Sequence, residues 1–210
     1  MNIAYEVLIS DNKFRWPLQI EHICKSMRKN NNCFFLSFSI ATYRHRDQKK
    51  ICNAQIKLHF DYASIMWDGC CEVHLNILNS LHRRTGKLII PDPSLSAEQK
   101  MSTLEILNPS QQFTDNKRIF MHKVLNNNSP NYLAQLFINH ESHYTNSENT
   151  FYVPRPRLDS FKTSISFAGA SLWNSVLQNI KFCISLPCSK TNLHKYISEN
   201  KFSSNRDRFV

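Results

Sequence analysis

Glycine scarcity is the feature that most constrains how this chain can fold. Only three glycines occur among 210 residues. Glycine is the usual residue wherever the backbone must turn through a left-handed conformation, or where a loop closely surrounds a phosphate group. A chain with so few of them has little material for tight hairpins or phosphate-binding loops. The sequence therefore predicts helices joined by loops of Asn, Ser and Pro.

Apolar residues at helical spacing support this prediction along most of the chain. They predict a helix that begins at Pro17, further helices over about 49–66, 72–89, 97–107, 115–126 and 130–137, a buried surface over 161–177 and a last helix near 189–198. Trp173 is expected to anchor a core, because it lies in an apolar stretch that contains the small residues Gly169 and Ala170. The predicted fold class is mainly α, a helical bundle with a short N-terminal strand at 3–9 and a small β element near 150–153.

The positive charge is concentrated at the two ends of the sequence. Residues 1–50 contain nine Lys and Arg against four Asp and Glu, and residues 151–210 contain nine against three, whereas residues 51–150 contain eight against nine. Basic ends around a neutral middle suit contact with a polyanion such as RNA or DNA. The alternative is that these charges serve only to keep the protein in solution.

Cysteine usage and hydropathy indicate an intracellular protein, cytoplasmic or nuclear. The seven cysteines are an odd number, scattered over a mid-sized chain, and do not suggest a disulfide framework. The longest nearly apolar run, residues 33–41, is shorter than the roughly 20 residues that a membrane helix needs. The nearest approaches to a zinc site are Cys70-Cys71-x2-His74 and Cys183-x4-Cys188-x5-His194. Neither has the spacing of a familiar zinc motif, so no metal or cofactor is expected.

No motif in the sequence supports catalysis. Phosphoryl transfer by two metal ions needs closely spaced carboxylates, and no two acidic residues are adjacent here. Asp61 stands alone between two aromatic residues, and neither a G-x-S-x-G sequence nor a local cysteine-protease signature is present. The sequence therefore predicts a chain without enzymatic activity of its own.

Basic residues interleaved with aromatic residues provide the best candidate binding site. The segment Tyr152-Val-Pro-Arg-Pro-Arg157 is followed by Phe161-Lys162. Arginine pairs with phosphate in a bidentate manner and aromatic rings stack on bases, so Arg155, Arg157 and Lys162 are predicted to contact nucleic acid. The alternative is an ordinary exposed loop that its prolines stiffen.

A second basic group, Arg83, Arg84 and Lys87, lies near the end of the helix predicted over 72–89. These residues are weaker candidates for contact with nucleic acid, because cations at a helix C-terminus also oppose its negative dipole and need no ligand to explain them.

Five blocks of the sequence, taken together and in order, resemble the region that follows the catalytic palm in LINE-type (non-LTR) retrotransposon reverse transcriptases. The blocks are YEVLISDNKFRWPLQIEHICKSM at 5–27, LHFDYASIMWDGC at 58–70, LNSLHRRTGKLI at 78–89, FMHKVLNNNSPNYLAQLF at 120–137 and NSENTFYVPRPRLDSFKTSISFAGASLWNSV at 146–176. The similarity extends over about residues 5–198. The family's paired catalytic aspartates have no counterparts here.

The resemblance implies a noncatalytic fragment of an RNA-directed DNA polymerase. In these terms residues 1–14 are the remnant of a palm-edge strand, 15–138 a helical thumb-like domain, 139–150 a polar loop, 151–200 a C-terminal extension and 201–210 a disordered tail. The implied partners are RNA or DNA, bound weakly and without sequence preference, and the missing palm and fingers of the parent polymerase. A start at Met1 in mid-domain suggests a truncated copy or a misjudged gene boundary. Two alternatives stay open: an inactive relic, and a protein-interaction module without a nucleic-acid role.

Overall fold

The chain divides into two compact units, residues 1–113 and 114–210. The computed structural model describes residues 9, 16–40, 50, 57–61, 63–90, 92–104, 106–139, 149–183 and 185–199. The division falls inside a helix, whereas the sequence suggested a boundary at the polar segment 139–150. Most of that segment, residues 140–148, lies outside the described residues, as do most of the N-terminal strand predicted at 3–9 and the tail at 201–210.

The first unit is helical. Its helices are α1 (Pro17–Ile40), α2 (Leu58–Asp61), α3 (Ser64–Trp67), α4 (Glu72–Ile89), α5 (Ala97–Thr103) and the beginning of α6 (Pro109–Leu125). Helix α4 has the bounds that its apolar spacing predicts. Helix α5 begins with a capping box, in which the Ser96 hydroxyl accepts from the Gln99 backbone and the Gln99 side chain accepts from the Ser96 backbone. The prediction of a mainly helical fold is confirmed.

Helices α1 and α4 pack against each other and form the centre of the first unit. Ile20, Ile23 and Met27 of α1 are buried, as their spacing predicts. A buried polar contact also joins these helices, because the Thr85 hydroxyl donates to Asn31 Oδ1 at 3.0 Å. Gly86 lets α5 approach α4 closely, since a Cβ at this position would lie 2.5 Å from Met101 Sδ. The close approach therefore depends on a residue without a side chain.

One helix predicted in the first unit is wrong, because its described residues, 57–61 and 63–66, do not form one continuous helix. The sequence predicts a continuous helix over about 49–66, but Ala63 adopts a left-handed conformation (φ 48°) between α2 and α3. Leu58 belongs to the apolar stripe that predicts this helix and a place in the core, but it is 59% exposed, while Phe60 and Trp67 are buried. Both of these rings contact Phe113 edge to face, with centroids 6.4 Å and 4.8 Å from it. Apolar spacing does not reveal a single left-handed residue, because tertiary packing selects it.

The second unit contains the rest of α6 and several shorter helices. These are α7 (Asn131–Ala134), α8 (Asp159–Lys162), a π-helical turn (Ile165–Gly169), α9 (Ala170–Asn174), α10 (Gln178–Lys181) and α11 (Leu186–Glu199). Its core surrounds Trp173, which is fully buried together with Met121, Ala170 and Leu193. A Cβ at Gly169 would come within 2.9 Å of Met121 Sδ, so a small residue is needed for this packing, as the sequence suggested.

Asparagine takes the turn positions that the scarce glycines do not occupy. None of the three glycines has a positive φ, whereas Asn127 (φ 54°) and Asn149 (φ 59°) are left-handed. Asn127 ends α6: its N–H donates to the Val124 carbonyl at 3.2 Å, and the N–H of Asn128 donates to the Lys123 carbonyl at 2.8 Å. This is the Schellman arrangement of a helix end. Asparagine tolerates the left-handed region better than most residues with a side chain.

The small β element predicted near 150–153 is present as an isolated bridge and not as a strand. Among the described residues there is no strand, only an isolated antiparallel bridge between Asn139 and Phe151. On the side of Tyr152 the bridge is followed by Pro154 and Pro156, which lack the N–H groups that a longer ladder needs.

Replacing the buried Trp173 with Ala should destabilise the second unit. We expect a loss of about 3–5 kcal/mol in the free energy of unfolding, because the substitution leaves a large cavity and removes a hydrogen bond. Urea unfolding followed by circular dichroism measures it. Tyr132→Ala is the control, since that aromatic ring is 70% exposed and should change stability by less than about 0.5 kcal/mol. Equal stability of the Trp173→Ala variant and the wild type would contradict this packing.

Burial of His82 should make the stability of the first unit pH-dependent. The pKa of His82 is lowered from an ordinary value of 6.5 to about 4. Desolvation is the largest cause, a hydrogen bond to the Leu107 backbone opposes it, and the positive charge of Arg83 adds to the lowering. Between these pH values the unfolded chain binds more protons than the folded chain, so acidification favours unfolding. The contribution of His82 is fully present above pH 6.5 and is lost as the pH falls towards 4.

From pH 7.5 to 5 we expect a decrease of about 2 kcal/mol in the free energy of unfolding from this group. Urea unfolding at a series of pH values measures it. His82→Leu should remove most of the dependence, while His22→Leu, at an exposed position of α1, should leave it in place. If the two variants show the same pH dependence, His82 is not its source.

Candidate nucleic-acid interface

The basic and aromatic segment of the second unit is exposed where the sequence predicts a binding site. We call residues 152–162 the basic arm. Arg155 and Arg157 are exposed, Lys162 is half-buried, Tyr152 is 51% exposed and Phe161 39% exposed. The arm therefore presents two guanidinium groups together with aromatic surface to solvent, which are the groups that contact phosphates and bases in single-stranded nucleic acid.

The side chain of Asn174 fixes the base of the basic arm. Its Oδ1 accepts from the Phe151 N–H at 3.0 Å, and its Nδ2 donates to the Phe151 carbonyl at 2.8 Å. A single amide thus satisfies both backbone polar groups of a buried residue, as a neighbouring β-strand would do. On the other side, the Tyr152 N–H donates to the Ile138 carbonyl at 2.8 Å. The chain is therefore held from two sides just before it reaches Arg155.

Two further hydrogen bonds hold the backbone carbonyls of Asn149 and Asn174. The Trp173 indole Nε1 donates to the Asn149 carbonyl at 2.9 Å, so the buried ring also fastens the left-handed turn before the arm. Lys181 donates from Nζ to the Asn174 carbonyl at 3.0 Å, and burial lowers the pKa of this lysine. The end of α9 is in this way connected both to the core and to the arm.

The sequence did not identify Trp173 and Asn174 as supports of the candidate site. Both follow Phe151 by more than twenty positions and lie on a short helix, and no local pattern links an asparagine to the backbone of a distant residue. The only signal was the apolar stretch around Trp173, which indicated a core residue.

The second predicted group lies on the last turns of α4 in the first unit. Arg83, Arg84 and Lys87 are exposed. Arg83 Nη2 lies 3.6 Å from Glu98 Oε1, and both side chains are largely exposed. Exposed pairs of this kind contribute little stability and leave the charge available to another anion. Because the two basic groups belong to different units, each stands as a separate candidate.

The basic side of α1 adds cations that were not among the predicted site residues. Lys25 lies 2.8 Å from Glu21, one turn before it, and this ion pair lowers the pKa of the glutamate. Arg28 and Lys29 are exposed on the same helix. Their helical spacing relative to Ile20, Ile23 and Met27 places these residues outside the buried stripe of α1.

Within the described residues, no group of three His, Cys, Asp or Glu side chains is arranged to hold a metal ion. In the first cysteine-rich sequence, Cys71 Sγ lies 3.4 Å from His74 Nδ1. In the second, Cys183 Sγ lies 3.7 Å from Cys188 Sγ. None of the helices in the described ranges is both long and apolar enough to cross a membrane.

Removing the Asn174 side chain should release the base of the basic arm. Asn174→Ala leaves the N–H and the carbonyl of the buried Phe151 without these partners, so we expect a loss of about 2 kcal/mol in stability and faster hydrogen exchange at the Phe151 amide. Urea unfolding and amide exchange by NMR provide the two measurements. Asn128→Ala, at an exposed position after α6, is the matched control. Unchanged exchange at Phe151 in the Asn174→Ala variant would show that the amide does not hold the arm.

Comparison with known proteins assigns no family to the chain. The sequence matches no protein-family model, and neither a curated protein nor a solved structure shows significant similarity to it.

Proposed function

We propose that this chain is a noncatalytic part of a LINE-type retrotransposon reverse transcriptase that binds RNA and DNA weakly and without sequence preference. The observation that carries the binding proposal is the basic arm, in which exposed Arg155 and Arg157 stand beside exposed Tyr152 on a firmly held base. The retrotransposon origin is supported by the five sequence blocks in the order of that family.

Phosphate contacts dominate the binding that we propose. Guanidinium groups on an exposed segment attract any nucleic-acid backbone, and an aromatic ring stacks on any base, so neither contact selects a sequence. The exposed cations of α4 and α1 extend the positive charge to other surfaces of the protein. Affinity should therefore fall steeply as salt increases, because each neutralised phosphate releases condensed counterions.

The salt dependence of binding tests this proposal. We expect fluorescence anisotropy with labelled RNA and DNA to give a log–log slope of about −3.6 to −5.4 on duplex DNA, for about four to six neutralised phosphates. Replacing Arg155, Arg157 and Lys162 together with Ala should weaken binding by about tenfold or more at low salt and should flatten the slope by about 2 to 3. The effect should be similar for all sequences.

A variant that removes the same number of positive charges elsewhere shows whether binding depends on the position of the charges or only on their number. Replacing Arg83, Arg84 and Lys87 with Ala also removes three positive charges, and it should have a smaller effect than the basic-arm variant. Circular dichroism must show that both variants are folded. Equal effects would assign the binding to net charge alone, and no binding at low salt by the folded wild type would refute the proposal.

Aromatic stacking is tested on single strands. Tyr152→Ala should weaken binding to a single-stranded oligonucleotide by about 1–3 kcal/mol, while Tyr152→Phe should retain most of the affinity, because the ring is kept. Tyr132→Ala is the control at another exposed tyrosine.

A separate observation tests the proposed origin. An open reading frame for an aromatic-x-Asp-Asp sequence directly upstream of this chain in the genome would support it, and unrelated upstream sequence would contradict it. The binding measurements do not depend on this result.

A protein-interaction module is the second candidate, and exposed apolar side chains favour it. Leu136, Ile138 and Leu158 of the second unit are 52%, 67% and 69% exposed. On this alternative, replacing them with polar residues would abolish association with a protein partner and would leave nucleic-acid affinity unchanged.

A further inference from the structure

Two cysteines near the C-terminal end of the second unit lie close enough to react with each other. Cys183 follows α10 and Cys188 lies in the first turn of α11, and their Sγ atoms are 3.7 Å apart. A disulfide requires about 2.05 Å between the sulfurs. Bond formation requires the two side chains to rotate towards each other, and the covalent ring would span residues 183–188, from the residue that follows α10 into the first turn of α11.

The side chain of Asn192 contacts both sulfurs. Its Nδ2 donates to Cys183 Sγ at 3.3 Å and to Cys188 Sγ at 3.5 Å. Asn192 lies one helical turn after Cys188 on α11, so the same helix supplies one thiol and holds the other beside it. This arrangement raises the effective concentration of each thiol at the other, which favours an intramolecular disulfide over two separate mixed disulfides.

One of the two thiols is accessible to a small disulfide, and the other is less exposed. Cys188 is exposed and Cys183 is half-buried. Hydrogen bonding to Cys183 and the charge of its sulfur raise the pKa of the Cys188 thiol, as expected for two sulfurs close enough to interact. Cys24, by contrast, is buried; the pKa of its thiol is also raised, in this case by burial.

We propose that Cys183 and Cys188 form a reversible disulfide by exchange with a low-molecular-weight disulfide such as oxidised glutathione. One protein thiolate attacks a sulfur of the small disulfide, releases one small thiolate and forms a mixed disulfide. The second protein thiolate then attacks the protein sulfur of that bond and releases the second small thiolate. In total, two protein thiols lose two protons and two electrons, and the small disulfide is reduced to two thiols.

The bond would stabilise the connection between α10 and α11, which already contacts the core of the second unit. The Cys183 carbonyl accepts from His122 Nε2 at 2.6 Å, and the fully buried His122 ring contacts Trp173 edge to face at 6.1 Å. The disulfide would fix the position of the Cys183 carbonyl with respect to the first turn of α11, which contains Cys188. It would be reversible rather than structural, which is consistent with a reducing compartment. The proposal does not depend on nucleic-acid binding.

Tryptic mapping tests the proposal directly, because cleavage after Lys181 and Lys190 yields one peptide, residues 182–190, that contains both cysteines. The purified full chain is equilibrated with reduced and oxidised glutathione, quenched with N-ethylmaleimide, digested and analysed by mass spectrometry. We expect this peptide to be two hydrogens lighter and to carry no alkyl label, and excess reduced glutathione to restore both labels. The equilibrium constant for oxidation should be about tenfold or more larger in the folded chain than in urea, because the fold holds the sulfurs together.

Cys71→Ser is the control, since it removes another exposed thiol and should not change the oxidation of residues 182–190. A peptide with glutathione on Cys188 and an alkyl label on Cys183 would overturn the proposal. So would two alkyl labels under all glutathione ratios, or equal oxidation in the folded and unfolded chains. Thiols that resist alkylation until a chelator is added would also overturn it, in favour of a bound metal ion.

Discussion

The second unit depends on the contacts that Trp173 and Asn174 make from the last turn of a five-residue helix. The indole ring fills the core, while its N–H holds the Asn149 carbonyl. The neighbouring amide satisfies both backbone groups of Phe151. Two adjacent side chains thus connect the core to a segment that would otherwise need a β-sheet partner. Arg155 and Arg157 come shortly after Phe151 in the chain. The contacts of Trp173 and Asn174 therefore fix the point from which the segment with the exposed arginines begins.

Buried polar side chains occur in both units, and several of them contact residues distant in the chain. In the first unit, the Thr85 hydroxyl donates to Asn31 Oδ1, and the buried His82 ring contacts Phe60 edge to face. In the second unit, His122 donates to the Cys183 carbonyl. Pairing is incomplete, because among the described residues Asn31 Nδ2, His82 Nε2 and His122 Nδ1 are buried without a hydrogen-bond partner, and such atoms cost free energy. Burial lowers the pKa of His82, and the stability of the first unit therefore depends on pH.

The functional proposals rest on different parts of the second unit. Nucleic-acid binding is assigned to the exposed basic arm, and thiol chemistry to the connection between α10 and α11. Both regions reach the same core through neighbouring contacts: the arm through Trp173 and Asn174, and the cysteine pair through His122. Nucleic-acid affinity is expected to vary with salt and with the charges of the arm, and disulfide formation with the ratio of oxidised to reduced glutathione, so the two properties can be measured separately.

The sequence by itself determined the helical class of the protein, the bounds of α4 and the buried face of α1, because apolar residues at helical spacing and the scarcity of glycine act locally. It also indicated the burial of Trp173 and the exposure of Arg155 and Arg157. Only the tertiary structure decided that Ala63 interrupts a predicted helix, that a single bridge replaces the strand near 150–153 and that Asn174 holds Phe151. These features arise from contacts between residues distant in the chain, and neither residue type nor spacing specifies such contacts. The proximity of Cys183 and Cys188 lies between these cases, since their spacing was visible in the sequence but the 3.7 Å separation of their sulfurs was not.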